Sequence, residues 1–104
     1  MFARTVSIHL KSNMLSDYTR TFENDTLPLL RQQKGFKDEI TLSNPGSLDV
    51  IAISLWESKA NAETYNTNTY PQVLRTLERM IDGAPKVQTF EAVTSTFHKL
   101  AVAA

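Results

Sequence analysis

The chain has 104 residues, enough for a single domain over 1–104. Its eleven basic side chains balance eleven acidic ones, which argues against a nucleic acid or an anionic membrane as partner. The absence of cysteine excludes a disulfide framework, a thiolate nucleophile and a cysteine zinc site. The start, "MFARTVSIHLKSN", is too polar for a signal peptide, and no apolar run approaches the ~20 residues of a membrane helix. We therefore expect a cytoplasmic protein.

The first elements are predicted to be a strand and a long helix. "FARTVSIHLK" alternates apolar and polar residues, the pattern of a strand with one buried face. "SNMLSDYTRTFENDTLPLLRQQKGF" follows, in which Ser12 or Asn13 can cap a helix and Gly35 can close it. Pro28 predicts a kink or a fresh turn. The apolar stripe of this helix consists of Leu15, Tyr18, Phe22 and Leu29.

The stretch "FKDEITLSNPGSLDVIAISLW" predicts a hairpin whose turn lies at Asn44–Gly46. In its first strand the apolar residues Phe36, Ile40 and Leu42 are expected on one face, opposite Lys37, Glu39 and Thr41. The second strand is apolar on both faces and ends at Trp56, the only tryptophan of the chain. Such a strand needs cover on both sides of its sheet.

The last third of the chain predicts a broken helix and a strand. "SKANAETY" suits a short helix capped by Ser58, "NTNT" is a polar break, and "YPQVLRTLERMIDG" is a second helical piece with Pro71 in its first turn. "KVQTFEAVTSTF" is β-branched and aromatic, which predicts a final strand. Residues 98–104 are expected to form a loosely held tail.

The order of these elements, β-α-β-β-α-β, points to a ferredoxin-like α+β fold: a four-stranded antiparallel sheet with two helices on one face. The helices cover one face only, which leaves Ile51, Ile53 and Leu55 on the other. Exposed apolar patches commonly mark association surfaces, so we expect a symmetric homodimer through the sheet face. The alternative is that the C-terminal tail covers these three residues in part.

The chain resembles the antibiotic biosynthesis monooxygenase (ABM) domain family, small dimeric α+β barrels. "LPLLRQQKGF", with Gly-Phe after the first helix, and "LWESKANAETY", after the third strand, carry this resemblance, and it covers nearly the whole chain. Members of the family include cofactor-free oxygenases of polyphenols, quinol oxidases, heme-degrading enzymes and isomerases of small ring compounds. Fold alone therefore does not settle the function.

Heme degradation is not expected, because three positions that this branch of the family needs are occupied by other residues. The asparagine of the first strand falls on Val6 or Ser7, and the tryptophan of the second helix falls on Tyr65. The iron-binding histidine falls near Arg75, which stays protonated and cannot ligate iron.

The resemblance implies instead a cofactor-free oxidation of a small aromatic or quinol substrate. In that chemistry a phenol loses a proton and the anion reduces dioxygen, so the protein supplies a dry pocket, a proton acceptor and a group that stabilises the anion. Trp56 matches the tryptophan of the resembling oxygenases, and Arg75 lies within one residue of their arginine. Their asparagine falls near Ala52, so that hydrogen bond is missing. No cofactor and no metal are expected.

Six residues are candidates for such a site. Trp56 would be an apolar wall, Arg75 the charge that stabilises a phenolate, and His9 the base, since its ordinary pKa lies near neutrality. The substrate-binding candidates are Tyr65, Tyr70 and Phe22.

Each candidate also has an ordinary structural explanation. Trp56 can be core packing, Arg75 can form an exposed pair with Glu78, and each tyrosine can pack its ring and leave its hydroxyl in water. His9 can lie exposed or at an interface, because the sequence does not decide which face of the first strand meets the helices. His98 is expected at the surface.

Two further functions stay open on the sequence. The first is a non-catalytic module that binds a small ligand or a partner and has lost the chemistry, which the missing asparagine favours. The second is an isomerase that shifts a proton on a ring compound, which would need a true base such as His9.

Overall fold

The computed structural model describes residues 1–100. Strand β1 spans Phe2–His9 and is followed by helix α1, Leu15–Thr21, which runs through a π-helical turn, Phe22–Thr26, into helix α2, Leu27–Arg31. Strands β2, Phe36–Ser43, and β3, Asp49–Trp56, form the predicted hairpin. Helices α3, Lys59–Asn68, and α4, Tyr70–Leu77, lead through a short 3₁₀ turn, Glu78–Met80, to strand β4, Lys86–Glu91.

The four strands form one antiparallel sheet in the order β2-β3-β1-β4, which confirms the predicted ferredoxin-like fold. The two central strands, β1 and β3, supply most of the buried sheet residues: Val6 and Ile8 from β1, and Val50, Ala52 and Trp56 from β3. These side chains pack in one core with buried residues of the helical segments, such as Tyr18, Leu30, Tyr65 and Leu77. The helices thus cover a single face of the sheet, here called the inner face.

The first helical segment is interrupted before Pro28, as predicted. The π-helical turn ends at Thr26, and Pro28 then lies in the first turn of α2, where its missing N–H removes no helical hydrogen bond. The predicted cap at Ser12 or Asn13 is wrong. Met14 precedes the helix instead, without a side-chain cap, and Asn13 has a φ of 63°, a conformation that asparagine tolerates.

The break in the second helical segment lies within the predicted "NTNT" but is only one residue long. The Ser58 hydroxyl accepts a hydrogen bond from the Asn61 N–H, so this predicted cap is confirmed. Helix α3 then continues through the first three residues of "NTNT" to Asn68, and the fourth, Thr69, separates it from α4. Pro71 lies in the first turn of α4 and has no N–H to donate to the preceding turn, so the hydrogen bonds of α3 do not continue across Thr69.

After Phe36, the side chains of strand β2 lie on the opposite faces of the sheet from those predicted. Phe36 pairs with Trp56, but the register shifts between Phe36 and Asp38, the mark of a β-bulge. Because side chains alternate along a strand, one extra residue turns Glu39 inward and Ile40 outward. Thr41 follows Glu39 to the inner face, and Leu42 joins Ile40 on the outer face.

Strand β4 is shorter than predicted. It ends at Glu91, which pairs with Phe2 at the start of β1, and one further hydrogen bond runs from the Ala92 N–H to the carbonyl of Met1, which precedes β1. His98, expected at the surface as part of a loose tail, is half-buried, and its Nε2 contacts the Asp38 carboxylate on β2. The chain after β4 therefore reaches the opposite edge of the sheet. Residues 101–104 of the predicted tail lie outside the described residues.

The outer face of the sheet carries the apolar residues predicted for it. Ile51, Ile53 and Leu55 are half-buried and alternate with the buried inward residues of β3. Beside them the bulge exposes Ile40 and Leu42, which are 55% and 47% exposed, and β4 adds Phe90. Within residues 1–100 no helix is long and apolar enough to cross a membrane, and no group of His, Asp and Glu has the arrangement of a metal site.

Candidate functional site

A small cavity lies between the inner face of the sheet and the helices. Its volume is about 30 Å³, room for about two water-sized molecules. Most of its wall is aliphatic, from both the sheet and the helices: Val6, Ile8, Leu30, Val73, Leu77 and Ile81. A few polar side chains also line the cavity, and their arrangement decides what it can bind.

Arg4 is the only cation that lines this cavity within residues 1–100. Its side chain comes from the inner face of β1, and the residue is 3% exposed. The guanidinium carbon lies 4.1 Å from the ring centroid of Tyr70 and 5.1 Å from that of Tyr65, so two aromatic faces hold the cation. One nitrogen, Nη2, donates to the Asn66 Oδ1 at 2.7 Å.

The charge of Arg4 is left uncompensated. No carboxylate of the described residues forms an ion pair with it, and its Nε–H has no hydrogen-bond partner there. Burial lowers the pKa of Arg4, but an arginine stays protonated at neutral pH. A buried cation with a free donor is a binding group for an anion or an acceptor oxygen.

Glu39 faces the same cavity from β2. Arg4 pairs with Ser54 on β3, and Ser54 pairs with Glu39, so the three side chains form one row across the inner face. Two strand spacings separate the ends of this row, about 10 Å between the backbones of Arg4 and Glu39. The Thr41 hydroxyl donates to the Glu39 Oε2 at 2.7 Å. Burial raises the pKa of Glu39, and this hydrogen bond opposes the rise.

The tyrosine hydroxyls at the cavity stay protonated at neutral pH. Burial raises the pKa of Tyr65 to about 12, although the nearby charge of Arg4 lowers it, and burial also raises the pKa of Tyr70. Tyr18, from α1, is 1% exposed, and its hydroxyl has no hydrogen-bond partner within residues 1–100. Burial raises the pKa of Tyr18, and the negative charge of Glu39 adds to the rise. Tyr18 therefore offers a neutral donor.

A groove of about 220 Å³ adjoins the cavity, between β2 and the first helical segment. Leu15, Thr19, Glu23 and Leu27 line its helical side, and Thr41 and Ser43 line its sheet side. Three residues line both the groove and the cavity, and they are Tyr18, Phe22 and Glu39. These three side chains form the boundary between the two spaces, and the π-helical turn begins at one of them, Phe22.

The three predicted substrate-binding residues, Tyr65, Tyr70 and Phe22, all line the cavity. Trp56 does not. It is fully buried, its ring packs at 5.1 Å from the Tyr65 ring and 5.6 Å from the Phe36 ring, and its indole N–H donates to the Ser54 Oγ at 2.8 Å. Its position is that of core packing behind Tyr65, and its indole N–H is already used by Ser54.

Arg75 and His9 also lie away from the cavity. Arg75 is exposed on α4, because the neighbours Val73, Leu74 and Leu77 form the side of that helix that lines the cavity. His9 lies on the outer face of the sheet, where its Nδ1 is 2.9 Å from the Asp49 Oδ1. The structure thus decides which face of β1 carries His9, and it is not the face that meets the helices.

Four polar residues of the cavity were not among the sequence candidates: Arg4, Glu39, Tyr18 and Ser54. Arg4 carried a signal, since it shares the alternation of Val6, Ile8 and Leu10 and so belongs to the buried face. Glu39 carried none, because a bulge that the sequence does not reveal turns it inward. Tyr18 was placed on the apolar stripe of the helix, and its unpartnered hydroxyl became visible only in the packed structure.

The fold is shared with known structures, although the sequence has no close relative among the proteins compared. Neither family models nor curated proteins match the sequence. A mutant of SnoaB, a cofactor-independent oxygenase from Streptomyces nogalater, is similar, with a TM-score of 0.74 and 12% identity over 91% of this chain and 95% of that one. A structure described as an antibiotic biosynthesis monooxygenase has a TM-score of 0.72 and 11% identity over 90% of this chain and all of that one.

NE2512, a protein of unknown function from Nitrosomonas europaea, is similar to the same degree. Its TM-score is 0.76 and its identity 14%, over 98% of this chain and 95% of that one. The predicted likeness to ABM domains is thus confirmed at the level of the fold, and proteins of that fold include both a known oxygenase and one whose function is unknown. Identities this low show the fold alone.

Proposed function

We propose that this protein binds a small phenol or quinol at the site formed by the cavity and the adjoining groove, and oxidises it with dioxygen without a bound cofactor. The observation that carries the proposal is Arg4, a buried cation with a free Nε–H in a largely apolar cavity. A buried charge without a counter-ion is costly for folding, so a function that needs it is the simplest reason for its presence. The shared fold of a cofactor-independent oxygenase supports the choice of chemistry.

The reaction needs two things from the protein: a positive charge that stabilises the anionic stages and a site that excludes water. A phenol gives up its hydroxyl proton, and the phenolate passes one electron to dioxygen. The phenoxyl radical and the superoxide combine at a ring carbon, the peroxide takes a proton back, and loss of water leaves a quinone. The sum is one phenol and one dioxygen to one quinone and one water. Arg4 stabilises the negative charge in each of these anionic stages, without acting as a base.

This proposal moves the anion-stabilising role from Arg75 to Arg4. The roles predicted for Trp56, Arg75 and His9 stay predictions, and none of the three residues lines the cavity. The Arg4 guanidinium lies against the rings of Tyr65 and Tyr70, and all three residues line the cavity.

The test is oxygen uptake by the pure protein with a panel of hydroquinones, catechols and polyphenols. Arg4→Met removes the buried charge and keeps an unbranched side chain, and Arg75→Met makes the same change at an exposed site. We expect Arg4→Met to lower uptake by about 100-fold or more, the effect of removing one donor at a developing oxyanion. Arg75→Met should stay within about twofold of the wild type. Uptake no faster than buffer, or equal losses in both variants, would contradict the proposal.

A non-catalytic binding module is the second candidate, and one observation favours it. The asparagine of the resembling oxygenases falls near Ala52, an apolar residue of the cavity wall, so a hydrogen bond of that chemistry is missing here. If phenols bind to the protein, as measured by calorimetry, while oxygen uptake stays at the buffer rate, the site is a ligand-binding site and the oxidation is ruled out.

We also propose that two copies pair through the outer face of the sheet. The apolar residues of this face lie on neighbouring strands, because Ile53 pairs with Ile40 and Ile51 pairs with Leu42. Ile40 and Leu42 are largely exposed in the single chain. Residues 92–100 reach Asp38 and yet leave Ile40 and Leu42 uncovered, so this part of the chain does not close the outer face.

A further inference from the structure

We propose that Glu39 is the proton acceptor of this site, and that it stands between two compartments: the groove, which takes the ring of the substrate, and the cavity, which takes dioxygen. This inference rests on the proposed oxidation. It adds to that proposal a residue that accepts the proton and a separate position for each of the two reactants.

The two volumes suit the two reactants. The groove, at about 220 Å³, exceeds the ~150 Å³ that holds a benzene ring. The cavity, at about 30 Å³, has room only for molecules of about the size of water. Dioxygen is small and apolar, and the aliphatic wall of the cavity suits it better than it suits water, which needs two to four polar partners.

The boundary between the compartments brings the reacting groups together. A ring in the groove lies against Phe22 and Leu27, which are apolar, and its hydroxyl can reach Glu39 at the boundary. Tyr18, at the same boundary, offers its free hydroxyl to the oxygen of the substrate. Beyond the boundary, Arg4 faces the cavity, so its positive charge favours the phenolate at the boundary as well as superoxide in the cavity.

Glu39 has the geometry of a base. Thr41 occupies one of its carboxylate oxygens, which fixes the carboxylate and leaves the other oxygen for a ligand. The proton moves from the phenol oxygen to the Glu39 carboxylate: the O–H bond of the phenol breaks, an O–H bond forms on Glu39, and a phenolate remains. The carboxylic acid then returns this proton to the peroxide, so Glu39 ends each turnover ionised. Burial raises the pKa of Glu39 toward the range where it can accept a proton effectively.

The pH dependence of this step follows from the groups around Glu39. Five side chains around Glu39 titrate or carry charge, each from a different element: Arg4, Tyr18, Glu23, Tyr65 and Tyr70. The three tyrosines stay neutral because burial raises their pKa values. Glu39 and Glu23 are the two carboxylates among these groups, so the acid limb is assigned to Glu39 by its loss in Glu39→Gln, with Arg4 as a fixed charge.

The experiment is the pH profile of oxygen uptake for the wild type, Glu39→Gln and the exposed control Glu63→Gln. We expect Glu39→Gln to lose about 100-fold or more in kcat/KM with hydroquinones that are neutral at the assay pH, the range typical of a lost general base. The acid limb should vanish in this variant. Phenols that are already ionised in solution need no base, so their oxidation should fall much less. Glu63→Gln should match the wild type.

Two further variants test the compartments separately. Ala52→Val, at the cavity, should raise the KM for dioxygen and leave that for the phenol unchanged, and Leu27→Phe, in the groove, should do the reverse. Equal losses of Glu39→Gln on neutral and ionised phenols, a retained acid limb, or both KM values moving together would overturn the inference. These comparisons require oxygen uptake by the wild type. If the wild type shows no uptake, the proposed oxidation itself is contradicted.

Discussion

At the scale of single residues, the informative feature is a charge in a place where the sequence pattern calls for an apolar side chain. Arg4 occupies an inward position of β1, in line with Val6 and Ile8, and is almost fully buried. Residue type alone drew attention to Trp56, Arg75 and His9, which are conspicuous in the sequence. Our proposal follows instead a position that breaks the burial pattern, because placing a charge there opposes folding.

The thermal stability of a Glu39 variant tests whether a buried charge opposes folding at this position too. Its pKa is raised in the folded protein, so the folded state favours the protonated form. The charged form therefore destabilises the fold at neutral pH, and this penalty disappears as the pH falls through the folded pKa to the ordinary carboxyl range. We expect Glu39→Gln to melt at a higher temperature than the wild type at pH ~7, with the gap closing by pH ~4.

Thermal unfolding followed by circular dichroism at both pH values measures this difference, with Glu63→Gln as the control. A Glu39→Gln variant less stable than the wild type at neutral pH would show that the carboxylate stabilises the fold, as expected of a structural residue rather than a base held ready for a ligand.

At the scale of elements, the sequence predicts the kinds and order of the elements well, and their fine geometry less well. Alternation and turn residues locate β1 and the β2–β3 hairpin, and Pro28 and Pro71 locate the interruptions of both helical segments to within a few residues. The bulge after Phe36 could not be predicted, because it arises from pairing with β3 and leaves no mark in the local pattern. That one residue decides which side chain of β2 reaches the cavity, Glu39 or Ile40.

The π-helical turn at Phe22–Thr26 is the other feature that local pattern did not show. Pro28 predicted an interruption, but the extra residue in the turn depends on packing over the sheet. Such turns are often found at functional sites, and this one carries Phe22 to the boundary between cavity and groove. The site could therefore be predicted only in part: its aromatic wall from residue type, and its charged row only from the assembled sheet.

At the scale of the whole molecule, the two faces of the sheet have different roles in our account. The inner face supports the site, and the outer face is apolar without being covered by the helices. We expect the wild type to sediment at twice the mass of the chain at ~50 μM, because burying paired Ile and Leu side chains stabilises an interface by roughly 25 cal/mol per Å². Ile53→Lys should shift it to the monomer, whereas Thr64→Lys, on exposed α3, should not.

A wild-type chain that sediments as a monomer at this concentration would contradict the pairing. It would leave the cavity and groove unaffected, since both lie on the inner face of a single chain.

The measurement that tests the central claim most directly is the ionisation of a bound phenol, because it needs no turnover. 4-Nitrophenol is titrated by its phenolate absorbance with saturating wild type, Arg4→Met or Arg75→Met. Glu39 acts on the bound phenol in all three proteins, so the difference between them isolates Arg4. If Arg4 stabilises the bound anion, the pKa of the bound phenol is lower in the wild type and in Arg75→Met than in Arg4→Met by about one unit or more, which is about 1.4 kcal/mol. Equal pKa values of the bound phenol in all three proteins would contradict the account.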